Sequence, residues 1–308
     1  MSGLEILEVP VPEIQEPGQM LIKMHAAGLA TGDAKIIAGK MKMMVGSKLQ
    51  FPLRAGIVGS GVVVQVGSAV TAFRPGDAVY GMAFGRPLRF NPHPGYASEY
   101  AIGREDFFLP KPAALSFEAA AAAFGSTLTA YQSIELGLRL LREQGVPDGL
   151  EGKTVFVPGA LSATGNSVDF VYGTQWTLDY ISVANRRRGV IVAISALFPP
   201  KLFREVLGED VLPFWFLWVA SLAQLYYRWR LRGTGIQWGI VSGNAGVRED
   251  VARVGEILAT GKIRPVMTVV EMEDVEAVRE AADKVQKIKG GIGGWSSRLL
   301  ERKAPGGI

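Results

Sequence analysis

The sequence predicts an α/β protein in which a barrel or sandwich of short strands precedes a region of alternating strands and helices. Three observations carry that reading. The first hundred residues hold β-rich runs broken by glycines, with little helical periodicity. From Ser116 the texture changes to an alanine-rich helical stretch, followed by short apolar runs of the kind buried in parallel sheets. Near the end, Val275, Val278, Ala282, Val285 and Ile288 recur at helical spacing.

In chain order, Met20–Met24 and Ile57–Val66 read as strands, the second punctuated by Gly56, Gly59, Gly61 and Gly67. Arg74-Pro75-Gly76-Asp77 has the composition of a turn and leads into a short strand, Ala78–Tyr80. Ser116 is placed to cap a helix through Phe124, and a second helix is expected over Thr129–Glu143. Lys153–Pro158, Val168–Tyr172 and Gly189–Ser195 read as parallel-type strands, with Trp176–Val183 as a short crossover helix. Asp274–Ile288 reads as an amphipathic helix whose apolar stripe faces a core. Gly294–Arg298, by contrast, reads as loop or polar helix.

Composition narrows the function. Hydrophobic residues make up 48% and charged residues 20% of the 308, far from the balance of a disordered chain. The net charge of +4 is small and spread along the chain, which argues against nucleic-acid binding. Without cysteine there is no disulfide, thiol nucleophile or thiolate metal site. Only His25 and His93 are present, too few for a typical zinc site without carboxylates. His25 reads as a strand residue with a satisfied side chain, and His93 as part of the Pro-rich turn Asn91–Gly95. Met1–Leu4 lead directly into an acidic segment, so no signal peptide is read and a cytoplasmic, metal-free protein is expected.

Val211–Tyr227 is the most apolar stretch, and Arg228, Arg230 and Arg232 follow it. Its seventeen residues, with Pro213, Ser221 and Gln224 among them, fall short of the ~20 a spanning helix needs. It reads as a hydrophobic helix packed on the protein or on a second subunit. The alternative is a helix lying on a membrane surface over residues 211–232.

Several blocks together resemble a known family. Leu21–Gly28, Gly32–Lys35, Gly59–Gly67 with Phe73–Gly81, Gly95–Tyr100, Pro110–Pro112 and Leu128–Tyr131 occur in the order found in the medium-chain dehydrogenase/reductases. They are most similar to the zinc-independent quinone-oxidoreductase and enoyl-reductase branch. Val168–Tyr172, Trp176 and Leu225–Arg232 are similar to a fungal subgroup of it. The resemblance implies a GroES-like barrel from residues 1–123 and 265–308, with a Rossmann-type parallel sheet inserted over 124–264. It also implies reduction of an enone, quinone or enoyl thioester by hydride from NADPH, NADH not being excluded, in a homodimer.

The resemblance also implies a site. The loop Gly159–Gly165 follows a strand, as a dinucleotide-binding loop does, and Gly159, Ala160, Ser162, Ala163, Thr164 and Gly165 are expected to line phosphates. Thr129 and Tyr131 fall where this branch borders the nicotinamide, and Ser195 ends a strand where an open α/β sheet meets its ligand. Asp33 and Lys35 match barrel positions that face the substrate. A lysine ammonium there would stabilise an enolate as it forms. Where the branch often has Asn-Pro, this chain has Ala30-Thr31, which removes one polar contact.

One departure cuts against activity. Only nine residues, 159–167, separate the strands read at Lys153–Pro158 and Val168–Tyr172. A parallel crossover needs about 10–12 residues or more, and the ribose-reading residue is expected about 20 residues beyond the loop. An internal deletion in the nucleotide-binding half is therefore expected, and with it a rival reading as a pseudoenzyme that cannot hold the dinucleotide.

Overall fold

The computed structural model describes residues 4–29, 33, 54–83, 95–146, 155–156, 170–173, 189–194, 198–209, 212–265, 267–287 and 294–298. For 155–156, 170–173, 285–287 and 294–298 it describes the backbone alone. The chain divides into two compact units. The first takes Met1–Gly85, Arg89–Ser126 and Ala245–Ile308, the second Arg86–Leu88 and Thr127–Asn244.

The first unit is built on β1 (Gln19–Leu29), an eleven-residue strand that pairs antiparallel with β2 (Val58–Val66) along one edge. Two further strands share its pairing: β4 (Tyr100–Arg104) takes Gln19–Lys23 and β11 (Gly294–Arg298) takes Ala26–Leu29, both antiparallel. The sheet continues from β2 to β3 (Ala78–Met82) and β5 (Phe108–Pro110), and from β11 to β10 (Met267–Glu271) in parallel. Among the described residues six of these seven strands follow one path, β10-β11-β1-β2-β3-β5, and β4 branches from it at β1. Register shifts at Leu21/Ile22 and Met24/Ala26 mark bulges, which raise the local twist and curl such a sheet over its core. That core holds Met20, Ile22, Met24, Val63, Val79, Tyr96 and Phe108. Gly61 is dictated by close approach, since a Cβ there would stand 2.2 Å from the carbonyl oxygen of Lys23.

Strand β11 corrects the expectation for Gly294–Arg298. Its polar sequence, Gly-Trp-Ser-Ser-Arg, carries no apolar alternation from which a strand could be read. Backbone pairing on both sides, to β1 and to β10, holds it extended.

The helix α1 spans Phe117–Glu143 without interruption, where two helices were expected. Ser116 caps it as predicted: the Ser116 Oγ accepts from the Ala119 amide at 3.1 Å. Nothing between Phe124 and Thr129 stops a helix; Gly125 costs only about 1 kcal/mol relative to alanine. Two further helices belong to the first unit: α4 (Arg248–Ala259) packs on β5, and α5 (Val275–Lys287) realises the amphipathic stripe. The Asp274 Oδ1 caps α5 by accepting from the Ala277 amide at 3.0 Å.

The second unit is a parallel sheet in the order β6 (Val155–Phe156), β7 (Phe170–Gly173), β8 (Val190–Ala193), β9 (Gln237–Ile240). All four side chains of β8 are fully buried, as expected of a strand covered on both faces. Leu136, Leu140 and Leu141 of α1 pack against one face, on Val190, Val192 and Val241. The helix α3 (Phe214–Leu231) lies on the other, where Tyr227 meets Trp238 with ring centroids 5.3 Å apart. A shorter helix, α2 (Pro200–Leu207), packs on α3 through Phe203 and Phe216. The strands β6 and β7 are adjacent and parallel. Thirteen residues, 157–169, lie between the described residues of β6 and those of β7. The expected crossover helix at Trp176–Val183 lies outside the described residues.

Candidate functional site at the carboxyl edge of the parallel sheet

Ligands of open α/β sheets bind beyond the carboxyl ends of the parallel strands. In this chain that edge includes the loop after β9, Val241–Asn244, together with the stretch of α1 against which it lies. Gln132 clips the two together with both ends of its amide. Its Nε2 donates to the Asn244 carbonyl at 3.0 Å, and its Oε1 accepts from the Asn244 amide at 2.9 Å. Next to Gln132, the Ser133 Oγ donates to the Thr129 carbonyl, one turn earlier in α1, at 2.6 Å, and Ser133 is almost fully buried. Gly243 sits directly on Thr129: a Cβ at Gly243 would stand 2.6 Å from the Thr129 Oγ1. Thr129 is thus at the carboxyl edge of the sheet, held beside the loop that leaves β9.

Of the residues singled out from the sequence, Thr129 and Tyr131 lie on α1, both half-buried, in the second unit. Asp33 lies in the first unit and is only 3% exposed. Its Oδ1 accepts from the backbone amides of Gly56 at 3.0 Å and Ile57 at 3.1 Å. That pair of bonds ties the Asp33 segment to the entrance of β2, so the carboxylate's visible work is to hold backbone in place. Lys35, Gly159, Ala160, Ser162, Ala163, Thr164, Gly165 and Ser195 lie outside the described residues. His25 stacks on Phe117 with ring centroids 4.3 Å apart and planes 14° from parallel, the satisfied strand residue expected. His93 is outside the described residues.

Sequence reasoning missed Gln132 and the Ser242-Gly243-Asn244 turn. The available signal was a small polar Gly-containing triplet straight after a strand-like run, at the end where such sheets bind ligands. The clip itself has no local signal, because its partners are 112 residues apart.

The residues present fit a dinucleotide in kind: a parallel sheet, backbone groups of a glycine-containing turn at its carboxyl edge, and a threonine hydroxyl beside that turn. Among the described residues no group of three or more His, Cys, Asp or Glu is arranged to hold a metal ion.

Comparison with known proteins adds three findings. Residues 16–113 match the family described as the alcohol dehydrogenase GroES-like domain. Among curated proteins, the chain is 39% identical over 127 residues to a 2-methylene-furan-3-one reductase of Solanum lycopersicum, covering 41% of this chain and 32% of that one. It is 37% identical over 124 residues to an NADPH-dependent alkenal/one oxidoreductase of Arabidopsis thaliana, covering 39% and 31%. It is also 30% identical over 168 residues to a trans-enoyl reductase of a Penicillium species, covering 52% and 42%. The chain spans less than half the length of these relatives. Among solved structures, the quinone oxidoreductase of Coxiella burnetii aligns with a TM-score of 0.63 at 20% identity, over 96% of this chain and 95% of that one. An alcohol dehydrogenase superfamily protein of Novosphingobium aromaticivorans aligns at 0.65 and 20%, over 97% of each. At these identities the alignments speak for the fold alone.

Proposed function

We propose that this chain, which carries a GroES-like domain of the alcohol dehydrogenase type at residues 16–113 and has the medium-chain dehydrogenase/reductase fold, is a nicotinamide-dependent oxidoreductase acting on an activated carbon–carbon double bond or a quinone. The observation that carries the reading is the clipped turn at the carboxyl edge of the parallel sheet, Gly243 on Thr129, in a chain with that domain. NADPH is the cofactor we assign, because a relative named as NADPH-dependent is among the chain's matches. Zinc has no part in the proposal: the sequence offers no cysteine and two histidines.

The cofactor would supply a hydride when bound. Thr129 and the Ser242–Asn244 turn would hold its nicotinamide end, with Ser195, which follows β8 in the chain. Gly159, Ala160, Ser162, Ala163, Thr164 and Gly165 would hold its phosphates. Tyr131 is assigned to the substrate side of the nicotinamide. Lys35 is assigned to the substrate's carbonyl oxygen, where an ammonium lowers the energy of the enolate charge. Asp33, two residues earlier in the chain, positions that segment through its bonds to the Gly56 and Ile57 amides. The partners would be a small enone, quinone or enoyl thioester and a second copy of the chain.

The nine residues 159–167 between the strands read at Lys153–Pro158 and Val168–Tyr172 favour a second reading. In it the chain keeps the fold but has lost the phosphate site, and is a pseudoenzyme. Steady-state assay of NADPH oxidation with simple enones and quinones separates the two. Turnover that falls in a Lys35→Ala variant supports the reductase. Folded protein that neither turns over nor binds NADPH in calorimetry leaves the pseudoenzyme.

A further inference from the structure

The helix α3 (Phe214–Leu231) carries an apolar face that is exposed. Phe214, Trp215, Trp218, Val219, Leu222, Leu225, Tyr226 and Trp229 are each 48–75% exposed. At 100° per residue these eight fall on one continuous arc, while the buried Phe216, Leu217 and Ala220 lie on the opposite side. The helix is therefore anchored by its inner face and presents a full-length stripe of large apolar side chains to the outside. Isolated exposed apolar residues are ordinary on a surface; a contiguous stripe of this size marks a contact.

The charges around the stripe indicate what it contacts. No aspartate or glutamate occurs between Asp210 and Glu249, whereas Arg228, Arg230 and Arg232 cluster at the carboxyl end of the helix. On the helical wheel Arg228 and Arg230 stand on the two flanks of the stripe, from which long cationic side chains reach outward while their stems lie on apolar surface. Arg230 lies over the edge of the stripe, donating to the Tyr226 hydroxyl at 2.9 Å with its guanidinium 5.9 Å from the Tyr226 ring centre. Arg228 and Arg232 are exposed and form no ion pair among the described residues. They also line, with Tyr227 and Trp238, a cavity of about 540 Å³ between α3 and β9. Three of the six tryptophans of the chain are on the stripe, and tryptophan and tyrosine favour the boundary between water and lipid. No helix of the described residues is long and apolar enough to cross a membrane.

We propose that α3 docks the protein on an anionic lipid surface, lying in its plane, with the aromatic stripe in the headgroup boundary and the arginines on lipid phosphates. A second copy of the chain is the weaker occupant. The stripe and the arginines would have to be matched by a surface with negative charge beside apolar groups, and the corresponding segment of a second copy has no acidic residue from 211 to 248.

The test uses the full chain with phosphatidylcholine vesicles, with and without phosphatidylglycerol, read by co-sedimentation and by tryptophan emission. Binding to the anionic vesicles with a blue shift of the emission is expected, weakening as salt rises. The Arg228→Glu/Arg230→Glu/Arg232→Glu variant should bind at least roughly tenfold less well. Trp218→Ser and Arg232→Glu, both at exposed positions, repeat the test should the triple variant not fold, as judged by circular dichroism. Failure of folded wild-type protein to sediment with anionic vesicles would overturn the proposal, as would undiminished binding by the variants. A concentration-dependent dimer that Trp218→Arg dissociates, with no lipid binding, would overturn it in favour of a second copy.

Discussion

Tyr80 and Tyr96 are both fully buried, yet only one has a partner for its hydroxyl. Tyr96 donates to the Met82 carbonyl at 2.9 Å, whereas the Tyr80 hydroxyl has no partner among the described residues. Tyr96→Phe should therefore cost about 1 kcal/mol in urea denaturation, because it leaves a carbonyl without its donor. Tyr80→Phe should be neutral or stabilise by up to about 1 kcal/mol, since it removes a buried group that has nothing to bond. Burial also pushes both phenols well above their ordinary value of 10.0. Below that value the folded and unfolded chains keep the same protons. Above it the unfolded chain loses them while the folded chain retains them, so stability should fall as pH rises beyond about 10. Denaturation midpoints across that range, compared with the Tyr80→Phe/Tyr96→Phe variant, check the sign: the fall should be shallower in the variant. Legibility differs among the site residues for a similar reason. Asp33 could be singled out by type and place, but its bonds to Gly56 and Ile57 are made across 23 and 24 residues of chain. Which atoms a carboxylate reaches is a matter of packing, which a short stretch of sequence does not encode.

Elements show how far local signals carry. The cap at Ser116, the stripe of α5 and the buried strand β8 were all legible, because each depends on residues within a few positions of one another. The length of α1 was not, since a helix runs until something stops it and the region 125–128 contains no stop. Strand β11 was not legible either, because its pairing to β1 and β10 supplies all its order. The turn after β9 provides a test at this scale. Gly243→Ala would drive a methyl into the Thr129 hydroxyl and strain the turn, at a cost of about 1–3 kcal/mol. Adding Thr129→Ala should restore most of that stability by removing the obstructing oxygen, as measured by chemical denaturation. Equal losses in the single and double variants would show that the turn does not rest on Thr129.

For the molecule as a whole, the proposal predicts that NADPH binds the folded chain and raises its unfolding temperature. At a hundredfold excess over Kd the linkage is worth about 2.7 kcal/mol. A cooperative transition that NADPH does not shift would favour the pseudoenzyme, and loss of the shift in Thr129→Ala would place the cofactor at the carboxyl edge. The sequence by itself determined the class of the fold, the positions of the strongest helices and the lack of thiol chemistry. These are properties of composition and of residues close in the chain. Tertiary structure decided the rest. It set the three pairings of β1, the Gln132 clip that brings the β9 turn to Thr129, the burial of Asp33 against the start of β2, and which side of α3 is left bare. The physical reason is common to all four: each depends on contacts between segments distant in sequence, and a helix that is apolar around most of its circumference does not announce which face the rest of the chain will cover.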